Sequence, residues 1–303
     1  MLIQLDRDDV RSCKDSELEF QRMGLNRIWI IVIFALAVGG CSRFKLLYSF
    51  SGEAIKSEVG YFLNLNEDEQ TALEAKFVDL FDWHRVQMLP RYADFLRRTA
   101  EEVDAGPLEE ATVRQAVRDL QQLLRVTMQG ASPFIADVLV HHTNPKKLDH
   151  LRSRMAERNA ERRRALEEPL DVRIESKMES AISRFERFFG ELTPQQTASV
   201  LRYFEEREKS SVAWLNFREE RGRVLLAYLS DRPGRDEIAQ FMPVIMLRSA
   251  QVIDPAYKQY SDDWWASFTD WMVEILVSLT PVQRRTFSEV LRNYETDMIE
   301  LSS

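Results

Sequence analysis

An all-α fold, an irregular multi-helix bundle of about eight or nine helices, several of them long and kinked, follows from three observations. Apolar residues recur at intervals of three and four along most of the chain, which places them on one face of a helix. No stretch alternates with period two for long enough to make a strand, and only 10 Gly and 10 Pro stand among 303 residues, few for a β-rich protein. Helix-start signals recur, twice as Leu-Thr-Pro-x-Gln, at Leu192–Gln196 and Leu279–Gln283. In each, Thr caps, Pro takes the first helical position and Gln closes the capping box.

The elements run in order as follows. After Cys41, the residues Phe44, Leu47, Tyr48, Ile55, Val59, Phe62 and Leu63 lie at helical spacing. They are expected to pack on the body, because Lys45 and Lys56 are too few for a basic face on a lipid surface. Asn66 caps the next helix, with Glu69 placed to reach back to the cap amide. Leu73, Phe77, Leu80, Phe81, His84, Met88, Tyr92, Phe95, Leu96 and Val103 mark its inner face. Pro90 should kink it, since proline removes a backbone donor and crowds the carbonyl four residues back. Gly106-Pro107 stops it. A helix over about Glu109–Gln129 buries Val113, Val117, Leu120, Leu124 and Met128, and Gly130-Ala131-Ser132-Pro133 is expected to turn the chain into a separate short helix.

Asn144-Pro145 starts a helix of about 45 residues, bent at Pro169 and ended by Gly190. The helix after Gln195 carries Val200, Leu201, Phe204, Val212, Leu215, Leu225, Leu226 and Leu229. Asp231-Arg232-Pro233-Gly234 then makes a turn. A shorter helix holds Ile238, Phe241, Met242, Ile245 and Met246. The most aromatic one carries Tyr257, Tyr260, Trp264, Trp265, Phe268 and Trp271, and the last runs over about Pro281–Leu301. Capped starts at Asn66, Asn144, Thr193 and Thr280 are unevenly spaced, which excludes a strict solenoid repeat.

Hydrophobic residues make up 45% and charged residues 30%, enough for a packed core. Residues 41–303 carry 36 basic against 43 acidic side chains, a net −7, so no nucleic-acid partner is expected. The cysteines are Cys13 and Cys41.

Ile28–Val38 is free of charge and of helix breakers, and with Gly39-Gly40-Cys41 it remains shorter than the about 20 apolar residues a spanning helix needs. A short apolar region behind a basic residue, ending in small residues, has the form of an export signal. Its ending, Val38-Gly39-Gly40-Cys41, resembles the bacterial lipobox. That resemblance implies cleavage between Gly40 and Cys41, a diacylglyceryl thioether on Cys41 and acyl chains holding the protein to a membrane. Each buried methylene is worth about 0.8 kcal/mol, so two or three chains make a durable anchor. Ser42, in place of the aspartate that retains such proteins at the inner membrane, implies the outer membrane of a Gram-negative bacterium, facing the periplasm. Residues 1–22 are too acidic for a signal; translation from Met23, or a disordered extension, is expected there. The expected organisation is therefore 1–22 extension, 23–40 signal peptide and 41–303 periplasmic helical domain.

Tyr48, Tyr61-Phe62-Leu63-Asn64-Leu65, Gln70, Trp83-His84-Arg85 and Leu89-Pro90-Arg91-Tyr92 resemble a family of proteobacterial helical lipoproteins known as a conserved domain of unknown function. Asn144-Pro145, His150-Leu151, Ala156-Glu157-Arg158-Asn159, the two Leu-Thr-Pro-x-Gln starts and Leu291-Arg292-Asn293-Tyr294 extend the match over nearly all of 41–303. Where that family tends to repeat Thr-Pro-x-Gln, this chain has Asn66-Glu67 and Asn144-Pro145-Lys146-Lys147. The Leu-Thr-x-x-Gln element is also similar to a motif of small periplasmic chaperones of the envelope-stress response.

His141, His142 and His150 with Asp137 and Asp149 have the side-chain types of a Zn²⁺ site, but their spacing matches no ligand pattern. No metal and no cofactor are expected. His84 falls on an apolar face as a core histidine. Arg152, Arg154, Arg158, Arg162, Arg163 and Arg164 interleave with Glu157, Glu161, Glu167 and Glu168 and are expected to form a solvated, self-neutralised face, with contact to acidic lipid or a partner as the alternative. Trp264, Trp265, Phe268 and Trp271 are expected in the core. No nucleophile elbow or glycine-rich phosphate loop is present in the sequence. The expectation is a non-enzymatic, lipid-anchored protein that binds an envelope protein or lipid, with a chaperone-like holdase or a metal-dependent hydrolase as alternatives.

Overall fold

The computed structural model describes residues 41–303, beginning at Cys41; Gly40, the signal region 23–40 and residues 1–22 lie outside the described residues. The elements are α1 (Cys41–Phe62), α2 (Glu67–Trp83), a π turn (His84–Met88), α3 (Leu89–Ala105), α4 (Glu110–Leu139), a 3-10 turn (Val140–His142), α5 (Pro145–Ala165) and α6 (Leu170–Phe189). There follow α7 (Pro194–Glu208), α8 (Ser211–Ser230), α9 (Arg235–Leu247), a 3-10 turn (Ser249–Gln251), α10 (Ala256–Val277) and α11 (Pro281–Ser302). Among the described residues there is no strand. Because α2, the π turn and α3 form one unbroken rod, the described residues make ten rods where eight or nine helices were expected.

Three departures account for the difference. The expected 45-residue helix is two: α5 ends where the Leu166 amide reaches the carbonyls of Arg162 and Arg163, and α6 starts after Pro169. The helix from Thr193 is also two, parted at Lys209-Ser210, where the Ser210 and Ser211 hydroxyls donate to the carbonyls of Arg207 and Glu208. In the opposite sense, α4 runs straight through Pro133. The carbonyl that loses its donor there belongs to Gln129, which is exposed and open to water.

Two clusters form the core. The larger joins Met88 of the π turn and the inner faces of α3 (Leu89, Leu96, Val103) and α11 (Phe287, Leu291, Met298) with Phe189, Val200, Trp271 and Ile275. Ala93 and Ala100, one face of α3, are buried and small enough to let α11 approach closely along its length. The second cluster joins Phe62 at the end of α1 with Ala136, Leu148, Leu151, Leu229, Ile238 and Ile245, drawn from α4, α5, α8 and α9. Val113 of α4 belongs to the first cluster and Ala136 to the second, so this single helix, about 45 Å long, ties them together.

The two Leu-Thr-Pro-x-Gln turns meet. Gln196 and Gln283 close their own capping boxes: their Oε1 atoms accept from the amides of Thr193 at 2.9 Å and Thr280 at 3.0 Å. Each side-chain amide also donates to the other's oxygen, Gln196 to Gln283 at 3.1 Å and Gln283 to Gln196 at 2.8 Å. Gln283 donates further to the Glu191 carbonyl at 2.8 Å, and Gln196 to the Ser278 hydroxyl at 3.1 Å. Glu191 and Ser278 hold the same position in the two motifs, two residues before the threonine, so the pair has a local two-fold relation. Asn66 likewise makes a full box with Glu69, whereas Asn144 caps Lys147 and lysine returns no bond.

Removing either glutamine leaves a cap and a buried partner amide unsatisfied, and Gln196→Ala or Gln283→Ala should each lower stability by about 2–4 kcal/mol. The double variant should cost less than the sum by about 1–2 kcal/mol in denaturant titrations, and strict additivity would contradict a direct bond.

Candidate functional site

Two polar contacts of the body lie along α1, the helix that begins at the expected lipidation residue. Cys41 is its first residue. Tyr48 stands seven residues on, about 10 Å along the axis. There its ring meets Phe81 edge-on at 5.7 Å, and its hydroxyl lies 3.0 Å from Nδ1 of His84.

His84 opens the π turn, and Pro90 explains the turn's place. A regular helix would press the Pro90 ring against the carbonyl four residues earlier. One extra residue relieves that contact, so the Leu89 amide bonds the His84 carbonyl, five residues back. The expected kink is thus absorbed as a π turn. The same turn pushes Trp83 and His84 out between α1 and α4. His84 packs against the rings of Tyr48 and Tyr92, with centroids 5.8 and 5.7 Å away, and the Tyr92 hydroxyl lies 2.5 Å from that of Thr127. Burial pulls the imidazole down to about 4 and pushes the Tyr92 phenol up to about 12. The Tyr48 phenol is raised too, chiefly by burial, and stays protonated. The bond thus joins two neutral groups, with donor and acceptor set by the imidazole tautomer. Asp82, the nearest carboxylate in sequence, pairs with Arg85 instead. A neutral imidazole of such low basicity with one nitrogen already bonded serves as a latch between α1 and the π turn and is a poor general base.

Trp83 lies across Gly130 of α4, where a Cβ would come within 1.9 Å of the indole Cζ2. The ring also packs on Phe134, centroids 6.0 Å apart, so it has little room to move.

Three of the five candidate metal residues, His142, Asp137 and Asp149, are drawn to other partners. Nδ1 of buried His142 lies 2.8 Å from the Val138 carbonyl, and Lys147 beside it pairs with Glu69. Asp137 accepts from Arg235 at 2.6 Å and pairs with Lys76 at 3.2 Å, and Asp149 pairs with Arg152. Among the described residues no three His, Cys, Asp or Glu side chains converge as metal ligands.

The arginine band of α5 departs from the expected solvated face. Arg152 and Arg154 do pair locally, and Arg163 reaches Glu219 of α8 at 2.7 Å. Arg158, by contrast, is 7% exposed. Its guanidinium lies 4.7 Å from the centre of the Tyr61 ring and 3.4 Å from Glu58, both on α1. Arg162 donates to the Arg158 carbonyl at 3.2 Å. From α8, Arg218 lies over Trp214 at 5.7 Å. Its basicity is pulled down to about 9, first by burial and then by the charges of Arg162, Arg221 and Arg158, against which Glu58 acts alone. Single-helix spacing revealed none of this, because Tyr61 and Glu58 stand about 100 residues from Arg158.

Of the aromatic run, Trp271 is buried and stacks on Tyr203 with centroids 3.9 Å apart. Trp264, Trp265 and Phe268 are half-buried, with Arg207 over Trp264 at 5.7 Å.

Two outcomes follow from the His84 latch and its surroundings. The unfolded imidazole titrates near 6.5 and the folded one near 4, so between these values the unfolded chain binds the extra proton. The stability this group contributes is full above pH 6.5 and falls by up to about 3 kcal/mol as the pH drops through 4. His84→Gln should flatten that part of the pH–stability curve, and a parallel curve would argue against the latch. Gly130→Ala gains about 1 kcal/mol of helix propensity yet should lose a net 1–3 kcal/mol to the indole overlap. Adding Trp83→Leu should recover most of the loss in the same melt.

A family model described as "Family of unknown function (DUF6279)" matches residues 61–245, from the end of α1 into α9. No curated protein and no solved structure matches the chain. The match contains His84, Pro90, Gly130, Arg158, Arg218 and the first Leu-Thr-Pro-x-Gln turn and spans well over half the chain, which therefore belongs to this family of unknown function, DUF6279.

Proposed function

We propose that this protein is a non-enzymatic lipoprotein, held by acyl chains on Cys41 at the periplasmic face of a Gram-negative outer membrane, whose helical body binds an envelope component. One observation carries this proposal. The apolar run ending Val38-Gly39-Gly40-Cys41 leads without a spacer into α1, and α1 is latched to the body at both ends. Tyr48 meets His84 near the start, and Glu58, Tyr61 and Phe62 meet α5 and the second core at the end. An anchor so joined acts as a strut. It holds the body at a set distance and angle, as a protein that presents one face to neighbouring components requires. The chaperone alternative drew on the Leu-Thr-x-x-Gln starts; Gln196 and Gln283 commit their amides to caps and to each other, so packing alone accounts for that motif.

Intact mass spectrometry of the membrane-extracted protein should show a chain starting at acylated Cys41. Cys41→Ser should keep its leader and incorporate no labelled palmitate. A free thiol at Cys41 on a chain that retains residues 23–40 would overturn the assignment.

A further inference from the structure

We propose that the cleft between the start of α6 and the end of α7 binds a primary ammonium group carried on a short aliphatic chain. The two helices set the geometry. Residues 190–193 join them in an antiparallel pair, so Arg173 and Lys177 near the start of α6 reach Glu208, the last residue of α7. The space left between them is about 440 Å³, within the range of small-ligand sites. Its walls are Leu170 and Ile174 of α6, Glu205, Glu206 and Glu208 of α7, and Lys209. Leu170 and Ile174 stand four residues apart on one face of α6, and Glu205 and Glu208 three apart on one face of α7. One wall is thus hydrocarbon and the other carboxylate.

The three carboxylates differ in what already engages them, and together they select the ligand. Glu206 is paired with Lys209 at 2.5 Å. Glu208, whose side chain is 1% exposed, is held from α6 by Lys177 on Oε1 and by Arg173 at 3.3 Å from Oε2, so its charge is already answered. That Oε2 nevertheless accepts no hydrogen bond, and a buried carboxylate oxygen without a donor is costly. Glu208 therefore gives the cleft an unused acceptor. Glu205 is exposed, and among the described residues no cation lies within 4 Å of its carboxylate. It gives the cleft an unanswered charge. A ligand that meets both must donate N–H bonds and carry one positive charge. Leu170, 53% exposed, and Ile174 add a wall that gains from contact with hydrocarbon. An alkylammonium has all three properties. It could be a free amine or the side chain of a lysine in another protein, which share this chemistry. The inference goes beyond the anchoring proposal and draws nothing from Cys41.

The test titrates the full chain, in a neutral detergent and at constant ionic strength, with the chlorides of ethylammonium, n-butylammonium and tetramethylammonium while the melting midpoint is followed. Butylammonium should raise the midpoint, and the half-saturating concentration should fall about fourfold for each methylene added from ethyl to butyl. Tetramethylammonium, which carries the charge without an N–H, should leave it unmoved. Glu205→Gln should weaken butylammonium about threefold, and Leu170→Ser should flatten the dependence on chain length. Both residues are exposed, so each variant without ligand should melt within about 2 °C of the parent. A further arm uses Nα-acetyl-lysine methylamide. Tighter binding of that probe than of butylammonium assigns the site to protein lysines, and the opposite order assigns it to free amines. Equal responses to butylammonium and tetramethylammonium overturn the proposal, as does a butylammonium response that is absent or that both variants leave intact. None of these readouts depends on whether Cys41 carries lipid, so failure here leaves the anchoring proposal standing and the reverse also holds.

Discussion

The bundle depends on a pair of buried side-chain amides. Gln196 and Gln283 are 1% and 4% exposed, and each occupies its oxygen with a cap amide and with the other's nitrogen. A glutamine amide offers two donors and an acceptor oxygen, and here both nitrogens also reach the opposite turn. A buried polar network that is fully satisfied is rigid and specific; one lacking a member is worse than an apolar core. The pair thus fixes where α6 ends, where α7 and α11 begin and how α10 turns, and all four helices feed the larger core cluster. An apolar residue at either position would fill the space but strand a helix start.

Local chemistry was legible in the sequence. The capped starts at Asn66, Thr193 and Thr280 form full boxes, and the all-helical class holds throughout the described residues. Distant chemistry was not. Nothing in either Leu-Thr-Pro-x-Gln turn says that its glutamine will meet another 87 residues away. Proline misled in both directions, because its effect depends on whether the orphaned carbonyl has water or an extra residue to turn to: Gln129 is exposed beside Pro133, and the π turn precedes Pro90. The break at Lys209-Ser210 carries no proline or glycine at all. It coincides with buried Glu208, which α6 engages through Arg173 at 3.3 Å and Lys177. Tertiary pairing outweighs helix propensity there.

The arginine band shows the same limit at the candidate site. Glu157 and Glu161 made α5 look self-neutralised, since helix spacing counts only neighbours three and four residues away. The decisive neighbours of Arg158, Glu58 and Tyr61, come from α1. A charge run that is solvated on an isolated helix is partly buried once α5 packs against α1 and, at Gly222, against α8.

The two ends of α1 are therefore different in kind. Near the start, burial keeps the Tyr48–His84 contact neutral. At the far end the contact with α5 is ionic, through Glu58 and a cation over Tyr61. A helix latched by uncharged groups at its start and by an arginine at its end is held by two contacts that respond differently to salt, since dissolved ions screen the charged contact more than the neutral one.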